Sequence, residues 1–86
     1  MSEDTPVNEV KRLIHERFAS AGIPAPDNMR LRERAGLKLT NVLLDTKTLK
    51  DAYKQRLVDG RELVVQPTEE AEWFTERDLL LILRVR

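Results

Sequence analysis

Cysteine is absent from this chain of 86 residues, and the only histidine is His15. Without cysteine, the chain cannot form a disulfide scaffold, a zinc finger or a thiol nucleophile. A lone histidine excludes a multi-histidine metal site and most catalytic triads within the chain. These absences predict a protein that is not an enzyme by itself and that carries no metal or cofactor.

Net charge and long apolar runs are also lacking. Fifteen Lys and Arg balance fifteen Asp and Glu, so the chain has no overall attraction for nucleic acid. The longest apolar run, residues 79–83, is far shorter than the ~20 residues that a membrane-spanning helix needs. The first six residues, MSEDTP, do not have the character of a signal peptide. We therefore expect a soluble protein of the cytoplasm or nucleus, without nucleic-acid or membrane partners.

The sequence then opens with the pattern of an amphipathic helix. Apolar residues recur at steps of three and four positions, which places them on one face of a helix. Thr5 is a candidate N-cap, with Pro6 at the first helical position, and Gly22 is a candidate for the left-handed residue after the helix. The pattern predicts a helix over residues 6–21, preceded by a flexible lead-in at residues 1–5.

Short strand and turn patterns follow the helix. Strands are predicted at residues 29–34, within 37–44, at 62–66 and at 79–85, with a short helix capped by Thr48 and an acidic loop at 67–78. The continuous apolar run near the end favours a strand buried on both faces, although a short apolar run is also compatible with a helix. This order predicts one α+β domain over residues 1–86, with one long helix on a small mixed sheet.

The stretch from Val10 to Asp51 resembles ubiquitin and its relatives. As in ubiquitin, a helix leads into Gly-Ile-Pro, an acidic loop and a strand containing Arg-Leu, and the segment LTNVLLDTKTLKDAY resembles ubiquitin's later turn and short helix. The resemblance implies a ubiquitin-like β-grasp fold with Leu31, Leu43 and Leu49 in the core. That fold begins with a hairpin before its helix, so the hairpin here is expected to be missing or replaced by other strands.

The same resemblance leaves the end of the fold open. Either residues 62–66 or residues 79–85 correspond to ubiquitin's last strand. In the first case, the segment LLLILRVR would be an extra strand or the first strand of a following module, and in the second case it would be the final strand. Arg32 aligns with the central isoleucine of ubiquitin's main binding patch, so we do not expect the domain to mimic ubiquitin toward ubiquitin receptors.

Among ubiquitin relatives, the chain is similar to the ubiquitin-like modules of large ubiquitin-specific proteases, on the basis of its MRLRE strand and LTNVLLDTKTLKDA segment. The resemblance implies a non-catalytic protein-interaction module that docks partners or modulates the attached deubiquitinase. Two alternatives stay open. The chain could be a structural spacer between tandem modules, or a strand-exchanging element that forms a homodimer through its terminal apolar strand.

Candidate protein-binding residues lie in two places. Arg30, Arg32 and Arg34 alternate along the first predicted strand and could offer an acidic partner their planar guanidinium groups; the alternative is a solvated strand face. Trp73 and Phe74 are adjacent in the acidic loop and would either anchor an interface or cover the core. In an extended backbone, these two rings would point to opposite sides. The partner implied is the catalytic domain of the same protease or an acidic surface.

Overall fold

The computed structural model describes residues 1–67 and 70–85, which form two α-helices and a four-stranded antiparallel sheet. The elements are α1 (Val7–Arg17), β1 (Arg30–Ala35), β2 (Lys38–Val42), α2 (Leu49–Ala52), β3 (Glu62–Gln66) and β4 (Leu79–Ile82). The strand order across the sheet is β2-β1-β3-β4. The predicted α+β class and order of elements are confirmed. The predicted mixed sheet is wrong, because β4 returns antiparallel to β3 and the other two pairings are antiparallel as well.

Backbone groups from the turn before α2, and not a side-chain cap, fix the start of α1. Pro6 is the N-cap residue, and the amide of Val7 donates a hydrogen bond to the carbonyl of Lys47 at 2.8 Å. In return, the amide of Leu49 donates to the carbonyl of Thr5 at 3.0 Å. Because these bonds satisfy exposed donors at the starts of both helices, the predicted Thr5 cap is replaced by main-chain pairing. The predicted lead-in is thereby hydrogen-bonded to the start of α2.

The other ends of the helices follow the local sequence. α1 ends earlier than predicted and is followed by a 3₁₀ turn at Ala19–Ala21 and by Gly22, whose φ of 69° is left-handed as predicted. α2 begins as predicted, because the side chain of Thr48 accepts a hydrogen bond from the amide of Asp51. A two-residue turn containing Gly36, with φ of 61°, joins β1 to β2.

One face of the sheet, here called the helix face, packs against α1 and forms the apolar core. The core cluster comprises Val7, Val10, Ile14, Met29, Leu31, Leu43, Leu49, Ala52, Tyr53, Val58, Leu63, Val65 and Leu83. The three core leucines that the resemblance implied belong to this cluster. Lys11 of α1 is buried as well. Its Nζ lies 2.6 Å from Asp45 Oδ1, so an ion pair attaches the helix to the loop before α2.

The strand with both faces buried is β3, and the prediction that the terminal strand is buried on both faces is wrong. In β3, four successive residues from Leu63 to Gln66 are buried. β4 is an edge strand, its leucines are only half-buried, and 47% of Ile82 is exposed. The reason is position: β3 lies between β1 and β4, whereas β4 has a neighbouring strand on one side only among residues 1–67 and 70–85.

Candidate functional site

The segment between β3 and β4 crosses to the far edge of the sheet. Residues 70–78 are here called the strap; the predicted acidic loop also includes residues 68 and 69, which lie outside the described residues. The amide of Leu39 donates to the carbonyl of Glu72 at 2.8 Å, and the amide of Phe74 donates to the carbonyl of Leu37 at 2.6 Å. These two bonds attach the strap to the outer edge of β2, on the opposite side of the sheet from β4.

The end of the strap returns to the sheet through Asp78. Its Oδ2 accepts a hydrogen bond from Gln66 Nε2 at 3.1 Å and another from the amide of Thr75 at 2.9 Å. Gln66 is the last residue of β3 and is buried, so the carboxylate joins the end of one strand to the start of the next. The strap is therefore held at β2 and at β3.

The strap covers the face of the sheet opposite the helix face, here called the strap face. Side chains alternate along a strand, so Leu31 on the helix face places Arg32 on the strap face, and the core residues of β3 place Val64 there. Val64 is fully buried, and so is nearly all of Leu39, yet neither belongs to the helix-side core cluster. A second buried layer thus lies beneath the strap.

Arg32 is buried within this layer, with 6% of its surface exposed. Its Nη1 donates to the carbonyl of Ala71 in the strap at 2.5 Å, and its Nη2 donates to the carbonyl of Thr40 in β2 at 3.3 Å. Carbonyl oxygens replace water around the guanidinium, as a buried charged donor requires. The prediction that Arg32 lies on an exposed face is wrong, because the strap covers it.

The two neighbouring arginines are placed differently. Arg34 is half-buried and forms an ion pair with Glu62, and its Cζ lies 4.7 Å from the centre of the Phe74 ring. This arrangement is a cation–π contact between β1 and the strap. Arg30 is half-buried, and its Nη1 donates to the carbonyl of Met29 at 3.1 Å. The three arginines that alternate along β1 thus lie in three different environments.

Trp73 and Phe74 also have different environments, as the alternation of side chains predicts. Trp73 is 59% exposed, whereas Phe74 is half-buried against Arg34. Trp73 pairs with Lys38 across the outer edge of β2, so its backbone is fixed while its indole faces solvent. Leu37, in the turn beside this pair, is 65% exposed. These exposed apolar side chains lie on one rim of the domain.

Three of the described residues have pKa values moved by clear physical causes, and one of them is Arg12, whose pKa is raised by its hydrogen bond to Glu9 and by the charge of Glu16. A hydrogen bond from Arg12 lowers the pKa of Glu9 on the exposed side of α1. Burial raises the pKa of the Tyr53 hydroxyl, and the negative charge of Glu33 adds to the rise. Tyr53 Oη donates to the carbonyl of Glu62 at 3.3 Å, so the neutral hydroxyl is the form used in the fold. None of these shifts activates a nucleophile or a base.

The acidic side chains and His15 are the remaining candidates for metal or proton chemistry. Within residues 1–67 and 70–85, no group of three or more His, Asp or Glu side chains is placed to hold a metal ion. His15 is half-buried on α1, and its Nδ1 is buried with no hydrogen-bond partner among those residues. The carboxylate of Asp78, one of the acidic loop residues, serves the loop's own backbone.

Sequence reasoning identified Trp73, Phe74 and the three arginines but not how they are connected. The acceptors of the Arg32 guanidinium include a backbone carbonyl of the strap, and the residue type at that position does not indicate such a contact. The exposure of Leu37 depends on its place in the turn between β1 and β2. The adjacent aromatic pair was the one local signal of the rim, because its alternation separates a covered ring from an exposed one.

Neither helix of the described chain is long and apolar enough to cross a membrane. No protein-family model, curated protein or solved structure matches the chain.

Proposed function

We propose that this chain is a non-catalytic, ubiquitin-like protein-interaction module of a ubiquitin-specific protease. The order of elements carries the proposal: α1, β1, β2, α2 and β3 follow one another as the resemblance requires. The Gly-Ile-Pro segment connects α1 to the approach to β1, and a threonine-capped α2 precedes β3. β1 lies between β2 and β3 in the sheet, so the strands named by the resemblance are also neighbours in space.

In this proposal, β3 is the equivalent of ubiquitin's last strand. β3 pairs with β1 on one side and with β4 on the other. β4 therefore takes a place in the sheet that an initial hairpin would otherwise have to fill. Its antiparallel direction marks a departure from the resemblance and supports the view that another strand replaces the hairpin.

The strap supports a module that does not behave as a ubiquitin mimic. Arg32 aligns with the central isoleucine of ubiquitin's binding patch, and it is buried under Ala71 of the strap. An incoming ubiquitin receptor would meet the strap and not an apolar sheet face. The domain is thus expected to bind by a different surface.

Trp73 is the proposed anchor of that surface. The backbone on either side of it is hydrogen-bonded to β2, so little conformational entropy would be lost when a partner receives the indole. Exposed tryptophan is the residue type most often found at the energetic centre of an interface. Arg34 is engaged by Glu62 and Phe74, which makes it a support for the strap rather than a free cation for the partner.

The proposed partner is the catalytic domain of the same protease, which would present an apolar pocket to Trp73. Carboxylates of the strap, including Glu72 and Glu76, are exposed around the anchor. They favour a pocket with a basic rim, because complementary charge increases the rate and specificity of docking. The module would then modulate the protease by contact and not by chemistry.

The test is an amide chemical-shift titration of the isotope-labelled domain with two separate proteins. One is the ubiquitin-specific protease catalytic domain encoded by the same gene, and the other is ubiquitin. We expect shifts at the Trp73 indole and at residues 37–39 and 72–74 with the catalytic domain, and none with ubiquitin. The shifts should disappear in Trp73→Ala.

A matched control is Leu57→Ala, because Leu57 is also a large exposed apolar residue, at 75% exposure, and lies outside the strap. This variant should bind as the original chain does. A gene that encodes no such catalytic domain would overturn the assignment to a protease. Equal binding by Trp73→Ala would overturn the docking site.

A further inference from the structure

The two edges of the sheet are not equally protected. The strap occupies the outer edge of β2, whereas β4 pairs only with β3 within the described part of the chain. The amide of Leu83 donates to Arg61 at 2.8 Å, so by alternation the backbone groups of Leu81 and Leu79 also face β3. The N–H and C=O groups of Leu80 and Ile82 therefore point outward along a bare edge.

This edge lacks two of the usual features that prevent a strand from pairing with another chain. Residues 79–83 contain no charge and no proline, both of which commonly protect exposed edges. An open groove of about 910 Å³ lies along the edge, between β4 and α1. Its apolar lining includes Leu13, Phe18 and Leu81, so the groove could take apolar side chains from an added strand.

The sequence around β4 is complementary to itself when it is reversed. The segment reads Asp-Leu-Leu-Leu-Ile-Leu-Arg from Asp78 to Arg84, with a carboxylate at one end, a guanidinium at the other and five apolar residues between them. Two copies placed antiparallel about a two-fold axis at Leu81 would set Ile82 opposite Leu80. The same axis would set Arg84 opposite Asp78, twice by symmetry.

Neighbouring registers do not have this complementarity. Residues whose backbone groups point outward must pair with residues of the same kind in the second copy. The other registers therefore place the two-fold axis at a neighbouring residue and not between two residues. An axis at Leu80 would place Ile82 against the carboxylate of Asp78. An axis at Ile82 would place Leu80 against the guanidinium of Arg84. Only the axis at Leu81 matches apolar with apolar and cation with anion.

The charged ends are also available for such a contact. The hydrogen bonds that Asp78 accepts from Gln66 and Thr75 all go to Oδ2, which leaves Oδ1 for a second copy. Arg84 is exposed, and its Nη1 donates only to the neighbouring carbonyl of Leu83 within the described residues.

We propose that β4 is a self-association edge: two copies of this chain pair antiparallel through β4 about a two-fold axis at Leu81 and join their sheets into one. The two Asp78–Arg84 pairs fix the register, and the groove beside α1 accepts leucine side chains of the second copy. This inference is independent of the proposed function, because it uses the opposite edge of the sheet from Trp73.

Sedimentation velocity from micromolar to millimolar protein tests the proposal. We expect the mass to rise from monomer to dimer with concentration. Ile82→Lys should weaken the dimer at least about tenfold, because it places a charge in the paired strand. Leu57→Lys adds the same charge at another exposed leucine and should leave the dimer unchanged.

The register is tested by exchanging charges. Asp78→Arg and Arg84→Asp each oppose like charges across the axis, so each variant alone should be monomeric over the same range. Mixed in equal amounts, they should form a heterodimer, because every cation then faces a carboxylate. This recovery cannot come from misfolded protein.

Three outcomes would overturn the proposal. If the original chain remains a monomer at every concentration, β4 is not a self-association edge and is open to a strand of another protein. If Ile82→Lys dimerises as the original does, the dimer uses another surface. If the mixed charge variants fail to associate although circular dichroism shows each of them to be folded, the axis does not lie at Leu81.

Discussion

The helix face and the strap face of the sheet are both buried, but different kinds of side chain fill them. On the helix face, β3 contributes Leu63 and Val65 to a cluster of apolar residues beneath α1. On the strap face, the same strand contributes Val64 and Gln66, next to a buried arginine. A regular helix covers the first face, and an irregular segment held by a few hydrogen bonds covers the second.

The difference shows two ways of burying a sheet. The helix face is stabilised by apolar area removed from water, which depends little on the orientation of any one group. The strap face depends on specific donors and acceptors, since a buried polar group without a partner costs about 1–3 kcal/mol. The strap should therefore be the part of the domain that detaches first.

The largest effect is expected from truncating a valine on the helix face. Val65→Ala should reduce the free energy of unfolding by about 2 kcal/mol, from lost transfer free energy and an unfilled cavity. Val64→Ala removes the same atoms from the adjacent residue on the strap face. It should cost roughly half as much, because the strap can move into the space more easily than α1 can. Urea unfolding followed by circular dichroism measures both. An equal cost would show that the strap packs as rigidly as the helix.

Removing the buried guanidinium should release the strap. Arg32→Met keeps an unbranched side chain but leaves the carbonyls of Ala71 and Thr40 without their donor, at a cost of about 1–2 kcal/mol. Cleavage by trypsin after Arg77, within the strap, should become several-fold faster. Arg61→Met is the control, because the Arg61 guanidinium donates to the carbonyl of Leu57 outside the strap, and it should leave that cleavage rate unchanged. Unaltered cleavage in Arg32→Met would mean that Arg32 does not hold the strap.

The helix face should be sensitive to alkaline pH through Tyr53. Its pKa is raised in the folded state, whereas an unfolded tyrosine titrates near about 10. Its contribution to stability is thus fully present below about pH 10 and is lost as the pH rises toward the folded-state pKa. Tyr53→Phe should make stability less dependent on pH in that range, at a cost of about 1 kcal/mol at neutral pH for the lost hydrogen bond.

The absorbance of tyrosinate reports the ionisation of Tyr53 alone, because Tyr53 is the only tyrosine in the chain. Tyrosinate absorbance in the native protein should appear only when the domain unfolds. Ionisation at ordinary alkaline pH, with circular dichroism unchanged, would contradict a buried hydroxyl.

The smallest effect is expected from the adjacent aromatic residues of the strap. Phe74→Leu removes the ring beneath the Arg34 guanidinium and should cost about 0.5–1 kcal/mol. Trp73→Leu changes an exposed side chain and should alter stability by less than about 0.5 kcal/mol. Thermal unfolding of the two variants under the same conditions gives the comparison. A larger loss for Trp73→Leu would make Trp73 a structural residue and remove it as a docking anchor.

Much of the fold could be predicted from local pattern. The spacing of apolar residues located α1, alternation located β1, and Thr48 marked the start of α2 where the structure has it. Gly22 is left-handed as predicted, but α1 ends before it, at Arg17. The terminal strand was also located, but its burial was misjudged. A continuous apolar run is typical of a strand covered on both faces, and β4 is instead apolar at a bare edge.

The candidate site was less accessible to such reasoning. An alternating row of arginines is equally compatible with solvent and with burial, because alternation specifies a face and not what covers it. Arg32 is buried because the strap crosses the sheet and places the carbonyl of Ala71 against its guanidinium. That contact joins residues 39 positions apart, and the type of residue that supplies a carbonyl is immaterial.

Periodicity, turn residues and the absence of cysteine were enough to establish a small α+β domain without a disulfide or thiol centre, because each depends on neighbours along the chain. Tertiary structure alone decided which strand is central, which edge is covered, and whether a given arginine or tryptophan meets water. Those properties depend on the path of the segment between β3 and β4. A loop of mostly polar residues has many paths of similar local energy, and only its long-range hydrogen bonds to β1, β2 and β3 select one.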